Sequence, residues 1–290
     1  MGRLRPSRTI VGSLWLSILL TAGCAAKIPV AKFNLLADAT KEIRAGTADA
    51  YGRVGWLQRQ YAIASLGAKK ATDTSFEAID LDGTPLDFRP ELVKRAAALD
   101  VLVSYTEVLH AFATRDFAAE VDEASHKLAG SLTVLNDVAG GEASGVLATV
   151  VDAAGREIVE CKRVDALGRI MGDAQSSVQL LAELIQRSND KLAAAATLMQ
   201  NGALQKLEAA KKSARPAELL ALNAGAAGIV GEANAVRSAL AVSSQAMAKL
   251  PAAHAEIRND LAQRPTGLQA LQALIAEGRR INRFYRSLKD

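Results

Sequence analysis

The chain has 290 residues, half of them hydrophobic and only 4% aromatic, with 35 Lys and Arg against 31 Asp and Glu. Its charges alternate without building a basic stripe, and few rings are present to stack on bases, which excludes a nucleic-acid partner. Two cysteines are too few for a disulfide framework.

Arg3, Arg5 and Arg8 open the chain with no acid beside them, and an apolar run follows from Ile10 to Leu20. The run has about 11 to 13 residues, signal-peptide length and short of the ~20 a spanning helix needs. It ends in Thr21-Ala22-Gly23-Cys24. That tetrad resembles the lipobox of bacterial lipoproteins, with Thr21 where Leu, Val or Ile is usual. The resemblance implies acylation of Cys24, cleavage before it, and attachment of the mature chain to a lipid bilayer. Two or more acyl chains tether firmly without a spanning helix. Ala25 in place of Asp implies, in a Gram-negative cell, an outer-membrane anchor with the body facing the periplasm. The resulting division is a signal peptide over 1–23, a lipidated tether over 24–30 and a helical domain over 31–290. Removing the leader takes three cations and no acid, leaving a formal net charge of +1. Cys161 is then alone, and its neighbours Val159 and Val164 predict a buried thiol packed as a small hydrophobe.

From Ala31 the pattern is helical. Phe33, Leu36, Thr40, Ile43, Thr47, Tyr51, Val54, Leu57 and Tyr61 recur at steps of three and four, one seam of a long bundle helix. Gly46, Gly52 and Gly55 offer places for another backbone to come close. Residues 68–90 break the pattern with Asp, Gly and Pro. Within them, Phe76 to Leu81 alternates weakly, as a short extended piece would. Asp80-Leu81-Asp82-Gly83, with Glu91 at the twelfth position, has glycine too early for an EF-hand and reads as a polar loop.

A second helix is predicted from Glu91 to about Arg115, with Leu92, Ala96, Leu99, Leu102, Thr106, Leu109 and Ala113 as its seam and Pro90 at its start. A third runs from Asp116 to Ala139 through Val121, Ser125, Leu128, Leu132 and Leu135, and Gly140-Gly141 ends it. A fourth covers Glu142 to Asp173, with Gly155, Gly168 and Gly172 as points of division. A fifth covers Ala174 to Ser213, with Val178, Leu181, Leu184, Ile185, Leu192, Leu198 and Leu204 facing inward. Pro216 begins a sixth, to Leu261, with a kink expected at Pro251. The seventh, Thr266 to Leu288, ends in Arg279, Arg280, Arg283, Arg286 and Lys289, cations that suit a helix C-terminus. Such helices, each with one apolar face, predict an all-α, elongated antiparallel bundle of six or seven helices.

Few residues suggest chemistry. Ser125-His126-Lys127-Leu128-Ala129-Gly130-Ser131 resembles the core of histidine phosphotransfer domains, which implies His126 as phospho-acceptor; Ala129 replaces that family's lysine. Glu107 and His110, and likewise Glu123 and His126, have the Glu-x-x-His spacing of ferritin-like di-iron bundles. That resemblance implies a metal-binding bundle as the alternative function. His110 and Glu107 lie off the second seam, however, and both pairs read as helix-surface neighbours. His254 sits on a polar, charged stretch. Gly225, Gly228 and Gly231 follow no strand and so make no dinucleotide fingerprint; they read as a close helix crossing or a kink, with a membrane-inserting hairpin as the sharper alternative. The basic C-terminus could meet anionic lipid, against the plainer reading of a solvated helix end. The expectation is a non-catalytic envelope lipoprotein that binds, scaffolds or assembles through its helix faces, without a cofactor, with an envelope protein as partner. A surface-exposed adhesin or toxin-like lipoprotein is a further alternative.

Overall fold

The computed structural model describes residues 28–66, 88–114, 117–139, 160–262 and 267–286. The leader with Cys24, the Phe76–Leu81 piece, the Asp80–Gly83 loop and the Gly140-Gly141 stop lie outside the described residues, as do the side chains of Glu91 and Cys161. The described chain forms six helices and no strand: α1 Val30–Leu66, α2 Arg89–Ala113, α3 Phe117–Ala139, α4 Glu160–Lys211, α5 Pro216–Leu261 and α6 Gln269–Arg286. It is an all-α bundle.

α1 is the central helix and packs on α2, α4, α5 and α6. Every position of its predicted seam, from Phe33 to Tyr61, is buried. Thr40 and Thr47 keep their hydroxyls satisfied inside the core. Thr40 bonds the Ala37 carbonyl and shares a 2.8 Å bond with Thr106, and Thr47 donates to the Ile43 carbonyl. The Gly52 backbone is approached by nothing within 4 Å of where a Cβ would stand, and Gly55 only by Arg59 of its own helix. The close approaches occur elsewhere. A Cβ on Gly202 would meet the Tyr61 ring at 2.5 Å, and one on Gly278 would meet Glu42 and the Ala39 carbonyl at 3.3–3.5 Å. Absence of a side chain there lets α4 and α6 press against α1.

Ion pairs fix the directions. Arg44–Asp100 at 2.7 Å and Lys41–Glu107 at 2.9 Å set α2 antiparallel to α1. Lys32 pairs with Asp260, so the start of α1 lies beside the end of α5. Arg163 donates to the Thr114 carbonyl, placing the start of α4 at that same end. We call this end the base. From it α1, α4 and α6 run away together, and α2 and α5 return.

α4 is one helix of 52 residues, about 78 Å long. The predicted division near Asp173 does not occur. Leu167, Ile170, Met171, Ala174, Val178 and Leu181 stay buried in one register across it. That packing outweighs the roughly 1 kcal/mol of propensity lost at each of Gly168 and Gly172. Part of the predicted inward face is also wrong: Leu184 is partly exposed and Leu198 is 71% exposed. Ala182, Ala196 and Met199 are buried in the same helix. Alanine permits close packing against α5, its main neighbour. α5 continues as α-helix through Pro251, whose carbonyl accepts from Gln175 Nε2 at 3.2 Å. Its start follows the expected pattern, with Pro216 in the first turn and the Glu218 carboxylate accepting from the Arg215 backbone N–H at 3.0 Å.

Candidate functional site

The ends of the bundle differ. α4 and α5 form the longest hairpin, and its far end projects past the other helices. No residue from Leu204 to Gly228 is buried, whereas Ala203 and Ile229 are. Past the last residues that touch the core, Leu207 on α4 and Ile229 on α5, the free arms are about 6 Å and 20 Å long. The α5 arm is charge-free from Leu219 to Gly231; on α4 the charge-free stretch is Leu192–Gln205, mostly before the arm, which itself carries Lys206, Glu208 and Lys211. Leu198, on α4 before the arm, is 71% exposed, and Leu220, in the α5 arm, is 77% exposed. Lys211, Lys212 and Arg215 crown the turn, with Lys211 paired to Glu208 and Arg215 to Glu218.

Two described helices are apolar and long enough to cross a membrane by length and composition, α2 and α5. Most of the α2 window is buried, while 22% of the α5 window is. The hydrophobicity of α2 is that of a core helix. That of α5 is unburied, and it lies in the hairpin. Gly225, Gly228 and Gly231 sit in this arm. Nothing stands within 4 Å of a Cβ at any of them, so the expected close crossing is not made among the described residues. Exposed apolar surface is where intermolecular contacts commonly form.

The root of the hairpin is rigid. Arg53 of α1 holds both carboxylate oxygens of Glu232 at 2.8 and 2.9 Å. Arg237 reaches across the hairpin to Gln200 at 2.7 Å and Thr197 at 3.2 Å. Tyr61 packs on Gly202, with the Lys206 ammonium 4.2 Å from its ring centroid.

Deeper in the bundle two polar networks cross the core. Thr47 and Ser243 share a 2.9 Å bond, Asn189 donates to Ser243 at 3.1 Å, and Tyr51 donates to Asn189 at 3.2 Å. Burial pushes the Tyr51 phenol up, and the charge of buried Arg95 opposes that. The second network is His254. Its Nε2 lies 2.7 Å from the Tyr105 hydroxyl and its Nδ1 2.8 Å from Gln175 Oε1. The amide oxygen can only accept, so Nδ1 carries the proton and Tyr105 donates to Nε2. Burial pushes the imidazole down to about 3, and the Arg258 charge adds to that. His254 is therefore not on a polar surface, as its neighbours in sequence suggested. Leu250 and Ile257, four before and three after it, were the signal that it faces the core.

The four candidate metal ligands are not gathered. Glu107 is held by Lys41 on α1 and His110 is half-buried on α2. Glu123 pairs with Lys127, which holds its carboxyl below the usual range, and His126 is exposed. His126 Nδ1 lies 2.8 Å from the Asp122 carbonyl of its own helix. Among the described residues no group of three or more potential ligands comes together. α3 packs chiefly on α2 and turns Glu123 outward, so the spacing of each pair does not become a shared site. Arg279 and Arg283 are exposed near the end of α6, while Arg280 reaches Gln245 and Glu277. No family model, no curated protein and no solved structure matches the chain.

Proposed function

We propose that the protein is a lipid-tethered envelope scaffold that holds a helical hairpin away from the membrane for a partner to grip, and acts through that surface and not through catalysis. The leader pattern ending at Cys24 supports the tether. The observation that carries the reading is the polarity of the bundle. α1 begins at the base, fixed there by Lys32 and Asp260, and the exposed hairpin tip is at the other end. Residues 24–29 bridge at most about 20 Å, so an acylated Cys24 keeps the base near the bilayer. The 46 residues of α5 then carry the tip about 69 Å from it. The charge-free stretches of the hairpin suit a helical protein surface, because Ala and Gly allow close helix approach and Leu198 and Leu220 supply apolar anchors.

Two measurements test this. Metabolic labelling with a palmitate analogue should mark the wild-type chain and not Cys24→Ala; an unlabelled wild type rejects the tether. A photo-crosslinking residue at Leu220 should give defined adducts in the envelope fraction, while one at exposed Asp122 gives none. Equal adducts at both positions, or none at Leu220, rejects the hairpin as the contact.

A further inference from the structure

The base holds a feature that neither the tether nor the hairpin uses. Between the start of α4 and the end of α5 is a cleft of about 760 Å³, whose polar lining is Asp165, Arg169, Arg258 and Asn259 and whose apolar lining includes Val164 and Leu261. This is within the size range of small-ligand sites.

Of its charged groups, Asp165 and Arg169 are exposed at the rim and Arg258 is half-buried, and none is ion-paired as the cations between helices are. Lys41, Arg44, Arg53 and Lys249 each meet a carboxylate on a neighbouring helix. The half-buried Arg258 guanidinium makes no hydrogen bond or ion pair to a described residue. Arg169 makes only a long 3.4 Å bond to the Asp165 carbonyl of its own helix. Asp165 and Arg169 stand four apart in the favourable order for an ion pair. Glu123–Lys127 and Glu183–Arg187 form such pairs at that spacing, and Asp165 and Arg169 do not. Gly168 lies on the cleft wall, and a Cβ there would meet nothing within 4 Å. A glycine in mid-helix that no neighbour requires keeps the floor open.

Two guanidiniums and an amide supply fork-shaped donors for a phosphate. A simple polyanion would be repelled by Asp165, whose carboxylate is equally without a partner among the described residues. A ligand bearing both a phosphate and an ammonium satisfies all four groups. We propose that this cleft binds an amine-bearing phosphate ester, with the phosphate on Arg169, Arg258 and Asn259, the ammonium on Asp165, and the carbon chain along Val164 and Leu261. A phospholipid headgroup and a soluble ester share this chemistry.

The test uses the full chain in a neutral detergent, titrated calorimetrically with glycerophosphoethanolamine, glycerophosphoglycerol and inorganic phosphate. Phosphatidylethanolamine doped into the micelles is the lipid arm. Saturable binding of the amine-bearing ester is expected, about tenfold tighter than the glycerol ester that lacks the amine. Arg169→Gln and Arg258→Gln should each weaken it about tenfold, the scale of one lost charge-assisted hydrogen bond. Asp165→Asn should abolish the discrimination between the two esters. Gly168→Leu, which places bulk into open space on a helix, should keep the fold and block binding. Tighter binding of the doped lipid than of the soluble ester assigns the source to the membrane, and equal binding assigns it to a soluble ester. Absence of saturable binding in both arms, or binding unchanged by Arg169→Gln and Arg258→Gln, overturns the proposal.

Discussion

At His254, burial removes water from the imidazole while Tyr105 and Gln175 occupy both ring nitrogens. The folded protein holds this ring neutral down to about pH 3, whereas an unfolded histidine protonates near 6.5. Between those values the unfolded state binds the extra proton, so stability falls as the pH falls. The contribution is fully present above pH 6.5 and is lost at up to ~1.4 kcal/mol per pH unit below it. By pH 5 the expected loss is about 2 kcal/mol. Urea unfolding of wild type and His254→Gln at pH 7 and pH 5 should show this component in the wild type alone; equal slopes would refute it. Glycines separate just as sharply. Gly202→Ala should destabilise by about 1–2 kcal/mol, because the methyl collides with the buried Tyr61 ring and outweighs the gain in helix propensity. Gly228→Ala, with open space around it, should stabilise by about 0.5–1 kcal/mol. Thermal melts of the two variants should move in opposite directions.

Among the elements, α6 depends on a carboxylate that its own sequence does not contain. Glu256, buried on α5, accepts the backbone N–H groups of Ala270 and Leu271 through Oε2 at 2.9 and 3.1 Å. It is a cap supplied from another helix, at an N-terminus with no acid in its first turn. Glu256→Ala should cost about 1–2 kcal/mol and speed amide exchange in residues 270–274 before the rest of the bundle. Uniform exchange across all six helices would contradict that role. The α4–α5 hairpin is the opposite case. Since nothing between Leu204 and Gly228 is buried, joining Ala203 to Ile229 with a short turn should leave the melting temperature within a few degrees of wild type. A large loss would mean the tip supports the core.

For the whole molecule, one core is strung along helices of 37, 46 and 52 residues. A compact chain of this size has a radius of gyration of roughly 18 Å. A bundle containing a helix of about 78 Å must exceed that, and solution scattering should show a larger radius with a maximum dimension of at least ~75 Å. A compact profile would rule out the projecting hairpin. Directions along the bundle matter more than its length. The base holds the start of α1, the end of α5 and the cleft, and the far end holds the exposed arms.

The all-α class, the full α1 and α3 seams and the Pro216 start were legible from the sequence alone, because seam periodicity and first-turn proline are local properties. The resemblance to a lipobox at Cys24 is likewise a reading of the sequence alone. Tertiary structure alone decided which apolar and which polar residues are hidden. Leu198 and Leu220 match the helical period yet remain outside: Leu198 is on the side of α4 that no described helix covers, and Leu220 lies beyond the buried part of the hairpin. His254 and Asn189 look like surface residues yet lie inside, because α1, α2 and α4 supply partners far away in sequence. The two Glu-x-x-His pairs are not brought together among the described residues for the same reason. Spacing sets which residues share a helix face, and only the packing of one helix on the next decides whether two faces meet.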